Sequence, residues 1–225
     1  YKGQPEVWII GPLNNTDGDI KTLVSANTEA GFSICHWAGS GTSGDTIGHG
    51  LGAKPDLAII KNLDGSGASW AVFNSVDGAT KYQKLDQSTN STADSTYFAD
   101  TAPTSTVFSL GTAVATNESG GAYVGYFFAN KDGHFKVGSY VGTGESGGDG
   151  PLVCCGFRPA LLITKRTHGS GSPCEMTDAK RAPINAVDDQ LYADLPDDDY
   201  SFANFDYLAN GFKLRRTNSS NAHNI

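Results

Sequence analysis

The sequence predicts an all-β protein that consists of two tandem antiparallel β-sandwich units of the jelly-roll kind. Short segments rich in Val, Ile, Phe, Tyr and Thr alternate with clusters of Gly, Asn, Asp and Ser, the pattern of strands joined by turns. The apolar spacing that marks helices is nearly absent. In addition, a heptapeptide, PDLAIIK at 55–61, returns as PALLITK at 159–165.

The two heptapeptides belong to a longer internal repeat. Residue n of the first half aligns with residue n + 104 (159 − 55), and with n + 103 near the start of each copy, so one single-residue gap reconciles the two offsets. Matching blocks of this length imply two structural units with the same strand pattern. The other matched positions are Trp37 with Tyr140, 38–41 with 141–144, Trp70 with Cys174, Val72 with Met176, and 108–110 with 212–214.

The repeat divides the chain into three parts. Residues 1–30 form an N-terminal strand and linker, residues 31–130 the first β-sandwich repeat, and residues 131–225 the second. Leu57–Ile60 and Leu161–Thr164 are continuous apolar runs, which are typical of central strands covered on both faces. Antiparallel strands of this length form a core when two sheets pack about 10 Å apart.

Tyr123–Phe128 is the last strand predicted for the first repeat. Its counterpart would fall at 227–232 (123 + 104 to 128 + 104), beyond Ile225, so we expect the second repeat to lack its own last strand. An open edge beside a hydrophobic core invites another strand to pair with it. We expect Glu6–Ile10, or a segment of a neighbouring subunit, to fill this position.

Charge and hydropathy exclude several classes of partner. The 225 residues include 24 acidic and 16 basic side chains, a net charge of −8. This charge repels nucleic-acid phosphates and anionic lipid. No apolar run reaches the roughly 18 residues of a spanning helix. We therefore expect neither nucleic-acid binding nor membrane insertion.

The four cysteines, Cys35, Cys154, Cys155 and Cys174, lack the spacing of zinc or redox motifs. The simplest interpretation is that they are small buried hydrophobic residues. A disulfide between Cys174 and one member of the adjacent pair is the alternative.

Several stretches carry a resemblance to a known family. They are NNTDGDI, SANTEAGFSI, TIGHGLGAKPDLAIIK, TAPTSTVFSLG, GYFFA, KVGSYVGTG, GFRPALLITKRT, DAKRAPIN and LANGFKLR. From Asn14 to about Asn221 the chain resembles an uncharacterised β-rich repeat family of fibre and virion-associated proteins in marine bacteriophages. That family is considered similar in fold to concanavalin A-like sandwiches. The resemblance implies a virion or surface-fibre module and supplies no catalytic residue.

Enzymatic residue patterns are missing. Glycoside hydrolases need two carboxylates about 5–10 Å apart across a cleft. The five glutamates, at 6, 29, 118, 145 and 175, are never closer than 23 positions (29 − 6), and no Glu-x-Asp-x-x-Glu strand occurs. The five histidines include no H-E-x-x-H motif, and no G-x-S-x-G precedes a helix. We predict that the protein is not an enzyme, and we interpret His49, in GHGLG, as a turn residue.

Two kinds of binding site are candidates. Trp37 and Tyr140 occupy equivalent positions beside Gly-rich turns and are the glycan-binding candidates, with core packing as the alternative. We expect no cofactor, but calcium favours clustered loop oxygens such as those of Asp17, Asp19, Asp197 and Asp199. The alternative for 197–199 is ion pairing with the basic dipeptides at 165–166, 180–181 or 215–216.

The leading functional hypothesis is a non-enzymatic structural and interaction module of a viral fibre or capsid decoration. Its location would be the virion, and its partners would be other copies of itself and neighbouring virion proteins. A glycan-binding adhesin that recognises host surface polysaccharide is the alternative. A polysaccharide hydrolase is the third and weakest hypothesis.

Overall fold

A computed structural model describes residues 13–64, 67–144, 150–169, 171–197 and 200–215. The fold is all-β and its strand pairs are antiparallel, so the predicted fold class is confirmed. The finer prediction of tandem jelly rolls stays a prediction. The elements before residue 131 are β1 (Leu13–Asn15), β2 (Thr22–Asn27), β3 (Phe32–Ala38), β4 (Thr46–Gly48), β5 (Leu57–Asn62), β6 (Ala71–Asn74), β7 (Lys81–Lys84), β8 (Thr92–Ala93), α1 (Ser95–Phe98), β9 (Val107–Ser109) and β10 (Ala122–Phe128).

The remaining strands are β11 (Leu152–Cys154), β12 (Leu161–Thr164), β13 (Glu175–Asp178), β14 (Val187–Tyr192), β15 (Tyr200–Leu208) and β16 (Gly211–Leu214). The chain forms two compact units. Among the described residues, unit one comprises 13–82 and 93–131, and unit two comprises 83–92 and 132–215. Unit one thus takes in β1 and β2, which precede the first repeat, and unit two takes in 83–92 from within it.

Unit one is organised around β10. The sheet that contains β10 has the strand order β1-β2-β3-β10-β5-β6-β7-β8, and β4 pairs with β9 in a separate two-stranded sheet. Buried residues alternate with more exposed ones along β3 and β10, so one face of the sheet is covered. The core on that face is aromatic, and its largest members are Trp37, Phe73, Phe98, Phe108, Tyr123 and Phe127.

Unit two contains a six-stranded sheet with the order β11-β16-β15-β14-β13-β12. Its apolar core is smaller than that of unit one and consists of Ala182, Val187, Phe205, Tyr207, Phe212 and Leu214. In this sheet β12 is the terminal strand of the described residues, whereas its repeat partner β5 lies between β10 and β6. The predicted central position is therefore confirmed for β5, although only one of its faces is fully buried. For β12 the prediction is wrong among the described residues, since the strand is terminal and Leu161 and Ile163 are exposed.

The repeated heptapeptides form hairpins of identical register. In unit one, Leu57 pairs with Asn74 and Ile60 with Ala71. In unit two, Leu161 pairs with Asp178 and Thr164 with Glu175. Every one of these positions differs by 104 from its counterpart, so the repeat seen in the sequence is also a repeat of backbone pairing.

A second ladder in each unit joins an early strand to a late one, and its register differs by two residues between the units. Ile47 of β4 pairs with Phe108 of β9, and Val153 of β11 pairs with Phe212 of β16. Phe108 and Phe212 differ by 104 and are both buried. Strand β10 breaks this correspondence, since no described strand of unit two pairs with β12 on the side where β10 pairs with β5. The segment expected to fill that side, Glu6–Ile10, lies outside the described residues.

All four cysteines are free thiols. Cys35 and Cys174 are buried, as the interpretation of small hydrophobic residues requires, and burial raises the pKa of Cys174 to about 11. Cys154 is exposed and Cys155 is half-buried. The backbone N–H of Cys174 donates a hydrogen bond of 2.8 Å to Oδ1 of Asp194. Cys174 directly precedes β13 and is the repeat counterpart of Trp70 in unit one.

Candidate interaction edge of the second unit

The free side of β12 is the candidate interaction edge. The carbonyl oxygen of Ala160 accepts a hydrogen bond of 2.9 Å from the N–H of Ala179, so the even-numbered residues of β12 direct their backbone groups toward β13. The N–H and C=O groups of Leu161 and Ile163 therefore point to the opposite side. In the part of the chain that the structure describes, no strand pairs with that side.

Unit one shows what this side of the strand does when a partner is present. The carbonyl oxygen of Asp56 accepts from Ser75 at 2.8 Å, the same bond as Ala160 with Ala179. On the other side, β5 pairs with β10 from Leu57 opposite Phe128 to Asn62 opposite Tyr123. A strand thus occupies in unit one the position for which unit two has no strand among its described residues.

Apolar side chains surround the candidate interaction edge. Leu161 is 58% exposed and Ile163 is 48% exposed. Ile163 lies opposite Met176, and Met176 lies opposite Leu191, so the three side chains form a cross-strand row on the outer face of the sheet. The strand contains no charge or proline of the kind that protects natural sheet edges from pairing. Such an edge is suited to accept a further strand.

The inner face near this edge is polar in unit two. Thr164, Glu175 and Thr177 stand where unit one has Ile60, Ala71 and Phe73, and all six side chains are buried. Sequence reasoning missed this change, although the offset of 104 shows it once the two hairpins are aligned. At these three positions, unit two therefore buries hydrogen-bonding side chains where unit one buries apolar ones.

Most of these polar groups have partners. The hydroxyl of Tyr207 donates to the Thr177 carbonyl oxygen at 2.8 Å and lies 2.7 Å from the Thr177 hydroxyl. Burial raises the pKa of Tyr207 to about 12, so this hydroxyl stays protonated. Asn204 donates from its side-chain amide to Gln190. The buried Oγ1 of Thr164, by contrast, has no hydrogen-bond partner among the described residues.

The glycan-binding candidates lie in different environments. Trp37 is 1% exposed and its ring stacks on Tyr123 with centroids 5.5 Å apart and planes inclined by 15°. This burial is a correction to its candidacy, because a sugar cannot reach either ring face. Tyr140 is half-buried and meets Phe212 edge-on at 5.8 Å and 77°. Tyr140 therefore packs on the core of unit two and keeps part of its surface accessible.

The calcium candidates do not converge. Asp17 and Asn15 share two hydrogen bonds of 2.9 and 3.0 Å within one turn. Asp19 accepts from the N–H and the hydroxyl of Thr46 at 3.0 and 2.8 Å, and these bonds lower the pKa of Asp19. Asp197 is exposed, and Asp199 lies outside the described residues. Within the described ranges, no group of three or more His, Cys, Asp or Glu side chains is placed to hold a metal ion.

The basic dipeptides have acidic partners other than those expected from 197–199. Lys165 pairs with Asp194 at 3.3 Å, and both side chains are almost completely buried. Arg181 pairs with Asp178 at 2.6 Å, three residues away. Arg215 pairs with Asp206 at 2.7 Å. Each of these basic side chains is thus neutralised locally within unit two.

His49 is buried and directly follows β4, and no regular turn is assigned at this position. Its Nδ1 accepts a hydrogen bond from the N–H of Leu51 at 3.2 Å, and its Nε2 lies 3.3 Å from the carbonyl oxygen of Thr104. A neutral ring with the proton on Nε2 satisfies both contacts. Burial lowers the pKa of His49 and outweighs the opposing influence of Thr104 and Asp17.

The chain belongs to the DUF7483 family, a domain of unknown function, whose sequence profile matches residues 8–224. No curated protein and no solved structure matches the chain significantly. The described residues contain no helix that is long and apolar enough to cross a membrane.

Proposed function

We propose that this protein is a non-enzymatic structural and interaction module of a viral fibre or capsid decoration, in a concanavalin A-like sandwich family. The observation that carries the proposal is the candidate interaction edge of β12, where backbone groups that pair with no other described strand coincide with exposed apolar side chains. An exposed uncharged edge promotes association between chains. Other copies of the chain and neighbouring virion proteins are the proposed partners.

Support also comes from how the chain uses its polar residues. The carboxylates of Asp17, Asp19, Asp178 and Asp194 are engaged in hydrogen bonds or ion pairs with neighbouring residues, the arrangement of a scaffold. The resemblance of the sequence to virion-associated repeats of marine bacteriophages points the same way. Shape and assembly contacts are then the function, and the virion is the location.

Immunogold electron microscopy tests this proposal. An antibody raised against the purified protein is applied to purified particles of the virus whose genome encodes the chain. We expect gold particles on fibres or on the outer capsid surface. Particles that stay unlabelled, while the unassembled fraction of the same lysate contains the protein, contradict the proposal.

A glycan-binding adhesin is the second candidate, and the accessible part of Tyr140 favours it. Because Trp37 is buried, Tyr140 is the one of the two candidate aromatic residues that a sugar could reach. The adhesin hypothesis predicts saturable binding to a host polysaccharide that falls at least tenfold in Tyr140→Ala. Tyr126→Ala, at a half-buried aromatic of unit one, is the matched control.

A further inference from the structure

We propose that the folded protein forms an intramolecular amide bond between the side-chain amine of Lys165 and the side-chain carboxyl of Asp194. Lys165 directly follows β12, and Asp194 lies just after β14. Strand β13 runs between these two strands in the sheet of unit two. The bond is therefore a covalent cross-link across three neighbouring strands.

Both reacting groups are shielded from water. The side chain of Lys165 is 9% exposed and that of Asp194 is 0% exposed. In another ion pair of unit two, the side chains of Arg181 and Asp178 are 27% and 21% exposed. A buried ammonium and a buried carboxylate each lose favourable hydration, and proton transfer between them removes both charges. A guanidinium does not give up its proton, so the lysine pair can become neutral whereas the arginine pair cannot.

Three contacts orient the two groups. Nζ of Lys165 lies 3.3 Å from Oδ2 of Asp194. Nζ also donates a hydrogen bond to the carbonyl oxygen of Gln87. Oδ1 of Asp194 accepts the backbone N–H of Cys174 at 2.8 Å. The amine thus faces one oxygen of the carboxyl group while a backbone donor holds the other, and groups held about 3–3.5 Å apart in this way react far faster than they do free in solution.

The reaction that this arrangement supports is a condensation that releases water. A proton passes from Nζ to Oδ2, which leaves a neutral amine and a carboxylic acid. Nζ then attacks Cγ of Asp194 and forms the C–N bond, and the N–H of Cys174 stabilises the negative charge that develops on Oδ1. A second proton moves from Nζ to Oδ2, the Cγ–Oδ2 bond breaks and one water molecule leaves. No electron is gained or lost, so the step requires no oxidant.

The product retains both hydrogen bonds that flank the ion pair. The amide N–H can donate to the carbonyl oxygen of Gln87, and the amide oxygen, formerly Oδ1, still accepts from Cys174. Hydrolysis of the amide would restore two charges at a site where water does not solvate them. Burial of the pair therefore shifts the equilibrium from the separate groups toward the amide.

The cross-link closes a loop of 30 residues, from 165 to 194 (194 − 165 + 1), which contains β13 and β14. A closed loop limits the conformations of the unfolded chain, as a disulfide does. The apolar core of unit two is smaller than that of unit one. Unit two thus gains a link between its strands that does not depend on burial of apolar side chains.

Mass spectrometry of the full chain tests the inference. We expect the intact mass of the denatured and reduced protein to be lower than that of its sequence by one water molecule. Trypsin then cleaves after Arg166 and Arg181, which opens the loop. We expect the peptide that contains Lys165 to stay joined to the peptide that contains Asp194. An intact mass equal to that of the sequence, or a water loss that maps to another position, such as a succinimide at an Asp-Gly pair, overturns the proposal.

Two lysine variants locate the bond. Lys165→Arg keeps a positive charge beside Asp194 but cannot form the amide, so we expect its mass to equal that of its sequence and its tryptic peptides to separate. Lys180→Arg makes the same change at an exposed lysine and should retain the loss of one water molecule. A water loss that persists in Lys165→Arg contradicts the proposal.

Refolding tests whether the folded site forms the bond, and it does so on the parent chain without any substitution. Protein isolated from inclusion bodies in concentrated urea is kept denatured and then refolded by dilution. We expect the full mass of the sequence before refolding and the loss of one water molecule afterwards. A water loss already complete in the denatured chain, or none after refolding, contradicts the proposal.

Discussion

The side chain of Arg181 donates a hydrogen bond of 2.6 Å from Nε to Oδ2 of Asp178, and this pair closes the turn after β13. Oδ1 of Asp178 accepts the N–H groups of Lys180 and Arg181, both at 2.9 Å. Unit one builds the same turn from a different pair. There Oδ1 of Asn74 accepts two N–H groups at 3.1 and 2.8 Å, and Nδ2 of Asn74 donates to Asp77 at 2.9 Å.

This relationship predicts how the turn responds to exchange of the pair. Arg181→Asp alone places two carboxylates side by side, so we expect the free energy of unfolding to fall by about 1–2 kcal/mol. Adding Asp178→Asn recreates the pair of unit one and should restore most of the loss. Urea unfolding of the single and double variants measures the effect. A double variant that is less stable than Arg181→Asp would contradict the equivalence of the turns.

Low pH should weaken the same turn. The backbone and side-chain hydrogen bonds from Arg181 are the main causes of the lowered pKa of Asp178. A carboxyl with a lowered folded-state pKa contributes stability above its unfolded value, about 3.9, and that contribution disappears as the pH falls through the folded value. We expect Asp178→Asn to reduce the difference in stability between pH 6 and pH 3. An unchanged difference would assign the acid sensitivity to other carboxyls.

His49 should make unit one sensitive to mild acid. Burial lowers the pKa of the folded-state imidazole, so the unfolded chain binds a proton that the folded chain refuses once the pH is below about 6.5. Stability therefore falls as the pH is lowered from 7.5 to 5.5. We expect His49→Gln to flatten this part of the stability profile in thermal melts, whatever its effect at pH 7.5. The control is His134→Gln, at an exposed position, which should leave the slope unchanged.

Gly125 is required in the middle of β10 for steric reasons. A Cβ atom at this position would lie 2.7 Å from a ring carbon of Phe127 and 2.9 Å from a ring carbon of Trp37. Because both rings are buried, we expect Gly125→Ala to lower the free energy of unfolding by about 1–3 kcal/mol. Gly138→Ala is the control, since a Cβ there meets no atom within 4 Å. Equal stability of the two variants in urea would show that the rings move aside without cost.

The hydroxyl of Tyr123 should contribute measurably to stability. It accepts the N–H of Glu118 at 2.7 Å and the side-chain amide of Asn62 at 3.1 Å, and it donates to the Val114 carbonyl oxygen at 2.7 Å. Tyr123→Phe keeps the ring stacked on Trp37 and leaves these groups without their partner. We expect a loss of about 1–3 kcal/mol in chemical denaturation. A loss below about 0.5 kcal/mol would mean that water replaces the hydroxyl.

The strands were predictable where a short continuous run of residues carries the strand preference by itself. The runs at Leu57–Ile60, Tyr123–Phe128 and Leu161–Thr164 form β5, β10 and β12 because continuous β-branched and aromatic residues favour strands. The alternation of apolar and polar residues did not predict the polar inner face of unit two, because it assigns the apolar residues to the buried face. In β13 the apolar Met176 lies on the accessible face, while Glu175 and Thr177 are buried.

The environment of Trp37 was not accessible to sequence reasoning. An aromatic residue beside a Gly-rich turn is equally compatible with an exposed sugar platform and with core packing. Its stacking partner Tyr123 is far away in the sequence and becomes a neighbour only through the pairing of β3 with β10. The polar partners of Lys165 and Arg215 were missed for a similar reason, since strand register decides which carboxylate each side chain meets.

The matched hairpins also bear on how this chain can be altered over generations. Residues 55–78 and 159–182 have equal length and the same pairing register, although three of the buried positions that they share are apolar in one copy and polar in the other. The backbone pairing of the hairpin therefore tolerates either kind of interior, so the two copies can diverge in chemistry without a change in strand register.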